Sequence, residues 1–233
     1  MKESKKKLFL VFSPHPDDVD FGCAGTVAML TSQSHTVIYC IVTNGEKGVH
    51  KVRQSKHAMV AMREKEQKAA AVAGVKEVIF LRQTDGDLEH TRALRKLITR
   101  VIRKVKPDIV LSLDPGNHTF ESFYRFHRDH RVTAEVVFDA IYPGVGSEAF
   151  FPELAQEDVL PHQIEEVWFF STDKPNMVIN ITRTIGKKIE ALWQHESQIR
   201  DMAVTAANVR RRAKEAGKKK RMPYAESFRR LTF

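Results

Sequence analysis

Cysteine is scarce in this sequence, and long apolar runs are missing from it. The two cysteines, Cys23 and Cys40, lie among apolar or small residues and form no CxxC pair, which argues against a disulfide framework or a thiolate metal site. No apolar run approaches the roughly 20 residues that a membrane-spanning helix needs. The N-terminal lysines lead into a short apolar strand and not into a signal-peptide core. We therefore predict a soluble, cytoplasmic protein with two buried thiols and no membrane partner.

Internal repeats and breaks in composition are also absent. At 233 residues the chain is long enough to bury a substantial core without cross-links. We predict one domain over residues 1–233, with a basic loop at about residues 208–222.

Positive charge is in excess, with a formal net charge of +9. Much of the excess lies in two short runs, residues 5–7 and 210–221, and such runs are more often solvated than used for recognition. Aromatic residues are not interleaved with them, and no nucleic-acid-binding signature is present. Nucleic acid is therefore not the expected partner, and a polyanion-binding protein is kept only as an alternative to an enzyme.

Apolar segments rich in β-forming residues alternate with segments of helical periodicity along the chain. The predicted strands cover residues 8–12, 35–44, 78–81, 109–113, 167–171 and 177–181. Helical spacing follows most of them. This alternation predicts an α/β fold, a three-layer α/β/α sandwich around a Rossmann-like, mainly parallel sheet.

The stretch that follows the first strand is rich in chemically active side chains. It reads SPHPDDVDFGCAG over residues 13–25 and forms a strand-to-helix turn, which is where α/β folds place their sites. A catalytic zinc commonly takes three protein ligands, with His nitrogen and Asp oxygen among them, and His15 with Asp17 or Asp18 would supply two. Alternatively, an Asp caps the helix that follows. Capping needs one carboxylate and explains neither His15 nor the second Asp.

A second cluster lies at residues 127–130, which read HRDH and open an apolar-periodic stretch. His127 and His130 are three residues apart, so in a helix they share a face. If one of them binds a metal ion, the other stands above the open coordination position. Together with His15 and Asp18, the pair favours a mononuclear metal site over a coincidence of surface histidines.

Isolated residues offer weaker signals. Asp114 directly follows a predicted strand and is a candidate site residue, although a proline-glycine turn explains it nearly as well. Arg63 and Glu66 are three residues apart on a predicted helix, as in a surface ion pair. The turn at Asp85 is interpreted as structural.

With both clusters in view, the sequence resembles the LmbE-like or PIG-L-like family of zinc-dependent N-acetylglucosaminyl de-N-acetylases. The family's HPDD motif matches residues 15–18, and its HxDH motif matches residues 127–130. Supporting matches cover nearly the whole chain and lie at residues 43–48, 63–66, 85–86, 195–198 and 224–228. Many members carry Glu after HPDD where this chain has Val19, a departure that bears on the subgroup more than on activity.

The resemblance implies a role for each residue of the two clusters. It implies one zinc ion per subunit, held by His15, Asp18 and His130. Asp17 would be the general base of the reaction. His127, held by Asp129, would be protonated and would face the developing oxyanion.

The resemblance also implies the substrate class, a small molecule with an N-acetylglucosamine unit such as a chito-oligosaccharide or a glycoside. The expected reaction releases acetate and a free amine. Candidate substrate contacts are Arg63, Asp114, Tyr124 and His195, the last of which could act from a neighbouring subunit of a homo-oligomer. A metal-dependent amidohydrolase of another N-acyl amine is the alternative, because the site contacts the amide while only the outer loops contact the sugar.

Overall fold

A seven-stranded sheet forms the centre of the molecule, in a computed structural model that describes residues 5–48, 55–117 and 126–233. The strands are β1 (Leu8–Ser13), β2 (Thr36–Thr43), β3 (Glu77–Gln83), β4 (Ile109–Leu113), β5 (Glu166–Phe170), β6 (Met177–Asn180) and β7 (Ala225–Thr232). The α-helices are α1 (Asp18–Ser32), α2 (Lys56–Ala69), α3 (Arg92–Val105), α4 (Arg128–Asp139), α5 (Ile185–Trp193) and α6 (Met202–Lys218). Within these residues, every helix is too short or too polar to cross a membrane.

Most strand pairs of the sheet are parallel, and the strand order is β3-β2-β1-β4-β5-β7-β6. β1 pairs in parallel with β2 and β4, and the parallel pairing continues to β3 on one side and to β5 on the other. β7 is antiparallel to both of its neighbours, β5 and β6. The predicted mainly parallel α/β sandwich is therefore confirmed.

Apolar side chains on alternate positions of β1 build the core on both faces of the sheet. Phe9 and Val11 belong to the cluster that includes the apolar face of α1. Leu10 and Phe12 belong to the cluster that includes residues of α3 and α4. Successive side chains of a strand point to opposite faces, so a strand covered on both faces is mostly apolar, as residues 8–12 of β1 are.

Two glycines let α1 approach the far part of the sheet closely. A Cβ atom at Gly22 would lie 2.5 Å from the ring of Phe170, and one at Gly25 would lie 2.7 Å from Cδ1 of Ile181. Glycine weakens a helix interior, but here any larger residue would collide with the neighbouring strand and loop. The close packing fixes the helix whose first turn carries Asp18.

The predicted basic loop at about residues 208–222 is wrong over most of its length. Residues up to Lys218 belong to α6, whose first turn is capped where the Asp201 carboxylate accepts the N–H of Val204 at 2.9 Å. Val209 and Ala213 are buried on one face of this helix. Their spacing of four residues is helical, but the surrounding basic residues obscured it in the sequence.

Candidate active site

The turn between β1 and α1 places its acidic side chains in different directions. Asp17 has a left-handed backbone, with φ 100° and ψ −33°, a conformation that costs free energy for any residue with a side chain. Its carbonyl accepts the N–H groups of Asp20 and Phe21 at 2.9 and 3.0 Å, but its carboxylate makes no capping hydrogen bond. Helix capping therefore does not explain the Asp17 side chain.

The carboxylate of Asp18 joins two histidines from distant parts of the chain. Its Oδ2 lies 2.9 Å from Nδ1 of His15 and 3.1 Å from Nε2 of His130, and it also accepts the His15 N–H at 3.1 Å. The Asp18 and His130 side chains are each 4% exposed. His130 comes from the first turn of α4. The three residues predicted to bind metal therefore meet in one buried place.

The other ring nitrogen of His15 faces two more carboxylates. Nε2 lies 3.0 Å from Oδ2 of Asp129 and 3.2 Å from Oδ1 of Asp85. Asp129 is fully buried, and its carboxylate also accepts the N–H groups of Gly86 at 2.6 Å and Leu88 at 3.3 Å. The sequence predicted that Asp129 would hold His127, whereas the structure places this carboxylate on His15.

The described residues contain two groups that could hold a metal ion. Within each group the ligand atoms lie within 4.8 Å of one another. The members of the first group are His15, His127 and His130, and those of the second are His15, Asp85 and Asp129. His15 belongs to both groups, so it is the centre of the site.

The electrostatics of the site favour a positive charge at its centre. Burial lowers the pKa of His15, but its contacts with Asp129, Asp18 and Asp85 outweigh burial and raise that pKa well above the usual value. Burial raises the pKa of Asp18, and His130 and His15 bring it well below the usual value. Three carboxylates around one imidazole create a negatively charged environment that would stabilise a bound cation.

Asp17 lies beside this centre and next to a buried guanidinium. Burial raises the pKa of Asp17 to about 6, against the opposing effect of Arg63. Nη2 of Arg63 lies 3.6 Å from Oδ2 of Asp17 and donates to the carbonyl of Pro16. A carboxylate with a pKa near the working pH is suited to accept and return a proton.

His127 caps the start of α4 and is exposed to solvent. Its Nδ1 accepts the N–H of Asp129 at 3.2 Å, so the ring proton of the neutral imidazole is on Nε2. Burial lowers the pKa of His127, and the neighbouring His15 and His130 lower it further. The structure thus favours a neutral His127 that donates through Nε2, and not the protonated ring that the sequence predicted.

The residues predicted to contact the substrate lie in different surroundings. Arg63 is 2% exposed and lies directly behind Asp17. Asp114 is buried and accepts from Gly116 N–H at 2.8 Å and from the Thr172 hydroxyl, so its carboxylate stabilises the turn after β4. Tyr124 lies outside the described residues.

His195 is fully buried, which corrects its predicted position at the substrate. Its Nε2 lies 2.9 Å from Oδ2 of Asp20, and both side chains are 0% exposed. The ring therefore lies behind the turn that carries Asp17 and is not accessible to a substrate. Glu66, from the same motif as Arg63, fixes the adjoining loop, since it accepts the N–H and the hydroxyl of Ser197 at 2.8 and 2.7 Å.

Two residues that complete the site, Asp85 and Gln67, were not among the predicted site residues. Asp85 was interpreted as a turn residue, although its position shortly after β3 could have marked it, because the carboxyl ends of parallel strands meet at one edge. Gln67 bridges Asp17 and Asp20 from α2. No spacing signal in the sequence distinguishes Gln67 from an ordinary helix residue.

Comparisons with known proteins point to the chemistry that these residues suggest. A model of the PIG-L family, described as GlcNAc-PI de-N-acetylase, matches residues 10–141, which include both clusters. A diacetylchitobiose deacetylase from Thermococcus kodakarensis is 36% identical over 197 residues, which cover 82% of this chain and 70% of the relative. A probable N-acetyl-alpha-D-glucosaminyl L-malate deacetylase 2 from Bacillus anthracis is 28% identical, over 84% of this chain and 83% of the relative.

A solved structure shares the fold over nearly the whole chain. It is N,N'-diacetylchitobiose deacetylase from Pyrococcus horikoshii in complex with its inhibitor MPG, with a TM-score of 0.90 and 30% sequence identity. The match covers 98% of this chain and 85% of that chain. Fold and site together define a hydrolase built on a mainly parallel α/β sheet. The chain belongs to the PIG-L family of de-N-acetylases.

Proposed function

We propose that the chain is a zinc-dependent hydrolase that removes the N-acetyl group from a substrate containing N-acetylglucosamine. The reaction consumes water and releases acetate and a free amine, with one zinc ion per subunit. The observation that carries the proposal is the meeting of His15, Asp18 and His130 in one buried place, with Asp17 beside them.

The donor set fits zinc. Two imidazole nitrogens and one carboxylate oxygen are a usual ligand set for a catalytic zinc, which leaves one position for water or substrate. His15 would bind through Nδ1, because its Nε2 faces Asp129. A carboxylate on the second ring nitrogen is the common arrangement of metal-bound histidines.

Asp17 performs the proton transfers in the proposed mechanism. A zinc ion in this position would polarise the acetamide carbonyl and lower the pKa of a water molecule. Asp17 accepts the proton of the attacking water as the new C–O bond forms. It then returns that proton to the nitrogen as the C–N bond breaks, so that the amine leaves neutral and acetic acid remains. The acid keeps the second proton of the water and loses it to solvent as acetate is released.

His127 stabilises the negative charge that develops on the carbonyl oxygen. Its Nδ1 is occupied by the N–H of Asp129, so its Nε2–H is available to the substrate. A hydrogen bond that is aimed at a developing oxyanion lowers the activation free energy by about 3–4 kcal/mol in measured cases.

The substrate class rests on the relatives. Two of the proteins to which the chain is similar, from Thermococcus and Pyrococcus, carry the name of diacetylchitobiose deacetylases, and the Bacillus relative carries the name of a deacetylase of an N-acetylglucosaminyl malate. The shared element of these names is the acetamido sugar. We therefore propose N-acetylglucosamine as the recognised unit, with Arg63 as the nearest described candidate for a polar contact beside Asp17.

The direct test is acetate release from N,N'-diacetylchitobiose and from free N-acetylglucosamine by the purified protein. We expect release that a chelator abolishes and that zinc restores, and the ratio of the two rates measures how much the second sugar contributes. If neither sugar yields acetate although zinc is bound stoichiometrically, the proposed substrate class is wrong. A panel of other N-acyl amines then identifies the amide.

Sedimentation velocity on the same sample tests the predicted homo-oligomer.

Asp17→Asn tests the proposed base. We expect kcat to fall by about 10²- to 10⁴-fold, the usual contribution of general acid–base catalysis, while bound zinc is unchanged because Asp17 is not a ligand. Steady-state kinetics and metal analysis measure the two effects.

Asp87→Asn is the matched control for this substitution, because Asp87 is a surface carboxylate that pairs with Lys47 at 2.7 Å. We expect its kcat to equal that of the wild type. Near-wild-type turnover in Asp17→Asn would show that another group is the base.

A further inference from the structure

A series of buried, hydrogen-bonded polar side chains lies behind the turn between β1 and α1 that carries Asp17. It runs from the main chain of Asp17 through Gln67 and Asp20 to His195. The last three residues are each 0% exposed. Three separate elements, α2, α1 and the segment after α5, supply them.

Each link is a hydrogen bond of ordinary length. The N–H of Asp17 donates to Oε1 of Gln67 at 2.9 Å, and Nε2 of Gln67 donates to Oδ2 of Asp20 at 2.9 Å. Nε2 of His195 lies 2.9 Å from the same oxygen of Asp20. The amide of Gln67 is thus the connection between the buried Asp20–His195 pair and the backbone of Asp17.

The donor and the acceptor of each hydrogen bond in this series follow from the chemistry of the groups. An amide NH₂ group only donates hydrogen bonds, so Oδ2 of Asp20 is the acceptor that the NH₂ group of Gln67 must face. That requirement turns the Gln67 oxygen to the opposite side, where the N–H of Asp17 lies. Asp20 and His195 therefore orient the amide, and the amide in turn offers Asp17 an acceptor.

Asp17 needs such an acceptor because its backbone is strained. Its φ of 100° lies in the region that residues with a side chain avoid, and such conformations persist where surrounding contacts impose them. On the carbonyl side, the first turn of α1 supplies those contacts through Asp20 and Phe21. On the amide side, Gln67 supplies the contact.

We propose that Gln67 is a positioning residue for the catalytic base, which holds the strained backbone of Asp17 so that its carboxylate points toward the reacting amide. The inference rests on the proposed function for the catalytic role of Asp17. Gln67 touches neither substrate nor metal in this proposal and acts only through the main chain of Asp17. Asp20 and His195 fix the orientation of its amide.

The test is Gln67→Met, which keeps the length of the side chain and removes both hydrogen bonds. We expect kcat per bound zinc to fall by about 10- to 100-fold, because a small displacement of a reacting group costs that much. KM should stay within about 2-fold of wild type, since uniform substrate binding is unchanged. Bound zinc should also stay at the wild-type level.

The control is Glu226→Gln. Glu226 is also buried, and it accepts the N–H groups of Gly25 and Thr26 of α1 at 3.2 and 2.7 Å, away from Asp17. We expect both variants to lower Tm, but only Gln67→Met to lower kcat per bound zinc. If Gln67→Met lowers Tm alone, its role is merely structural and the proposal is overturned.

A second variant and a crystal structure keep the proposal open to refutation. Gln67→Glu retains an oxygen for the Asp17 N–H but places a second carboxylate against Asp20, where like charges repel, so its kcat should also fall below wild type. A wild-type kcat in Gln67→Glu contradicts the role given to Asp20 in orienting the side chain. In crystals of Gln67→Met, the φ of Asp17 should leave the left-handed region, and a φ that stays near its present value overturns the proposal. This readout needs no activity, so it remains decisive if the wild type releases no acetate and the proposed function fails.

Discussion

The two ring nitrogens of His15 have separate tasks. Nδ1 faces Asp18, while Nε2 faces the fully buried Asp129. A carboxylate on the outer nitrogen of a metal-binding histidine fixes the tautomer and increases the basicity of the inner nitrogen. Asp129 itself is held by two main-chain N–H groups of the loop after β3, so the orientation of His15 depends on that loop.

Asp129→Asn should therefore weaken zinc binding without removing a ligand. We expect an affinity that is about 10- to 100-fold lower, the usual effect of losing such a partner. Competition with a chromophoric chelator measures it. Asp139→Asn is the control, because Asp139 also pairs with a histidine, His90, at 2.9 Å on the surface. Equal zinc affinity in Asp129→Asn and the wild type would contradict the role given to Asp129.

The family resemblance implied the proposed ligands, but the sequence did not show their supports. His15, Asp18 and His130 lie in two short motifs, at the end of a strand and the start of a helix, and such motifs are a local pattern. Asp129 and Gln67 act through contacts with segments about 40–50 positions away in sequence, which only the folded chain brings together. His195 was misplaced for the same reason, because its burial against Asp20 depends on how α5 packs.

At the scale of elements, both thiols are buried in the cores between the sheet and the helices that cover it. Cys23 in α1 and Cys40 in β2 are fully buried. Burial raises the pKa of both thiols well above the usual value, so almost no thiolate forms near neutral pH.

We predict that neither cysteine reacts with a disulfide reagent such as DTNB in the native protein at pH 8. Both should react fully after denaturation in guanidinium chloride, which gives the total for comparison. Rapid reaction of one thiol in the native state would show that its layer opens.

The glycines of α1 give a second prediction for an element. In Gly25→Ala the new methyl group would lie 2.7 Å from Ile181 and 3.1 Å from Glu226, so we expect a loss of about 1–3 kcal/mol in the free energy of unfolding. Gly186→Ala in α5 is the control, since nothing lies within 4 Å of its Cβ position. That variant should gain about 0.5 kcal/mol. Urea unfolding measures both, and a stabilised Gly25→Ala would contradict the close packing of α1.

At the scale of the whole molecule, the proposed zinc site links distant parts of the chain. Its candidate ligands come from the turn after β1 and from the start of α4. These two segments are more than 100 residues apart in the sequence. The two segments meet because β1 and β4 are neighbours in the sheet. The alternation of strands and helices was visible in the sequence. The antiparallel position of β7 between β5 and β6 was not visible, because a strand that joins the sheet from a distant part of the sequence leaves no local pattern.

Zinc should therefore stabilise the entire fold. Free zinc at about 100 times its dissociation constant should add ~2.7 kcal/mol to the free energy of unfolding. For a chain of this size that corresponds to a rise in Tm of about 5–11 °C. Calorimetry with and without a chelator measures the difference, and magnesium at the same concentration is the control. Equal Tm values with and without zinc would contradict a folded-state site.

The position of β7 has a consequence for synthesis of the chain. Among the described strands, β6 pairs with β7 alone, and β7 is made of residues that are translated long after β1 to β5. While the ribosome still holds residues 225–232, β6 has no partner, and Glu226 is not yet in place to accept the N–H groups of Gly25 and Thr26. The five parallel strands can pair as they emerge. The helix behind Asp17 receives its final support only once β7 has been synthesised and released.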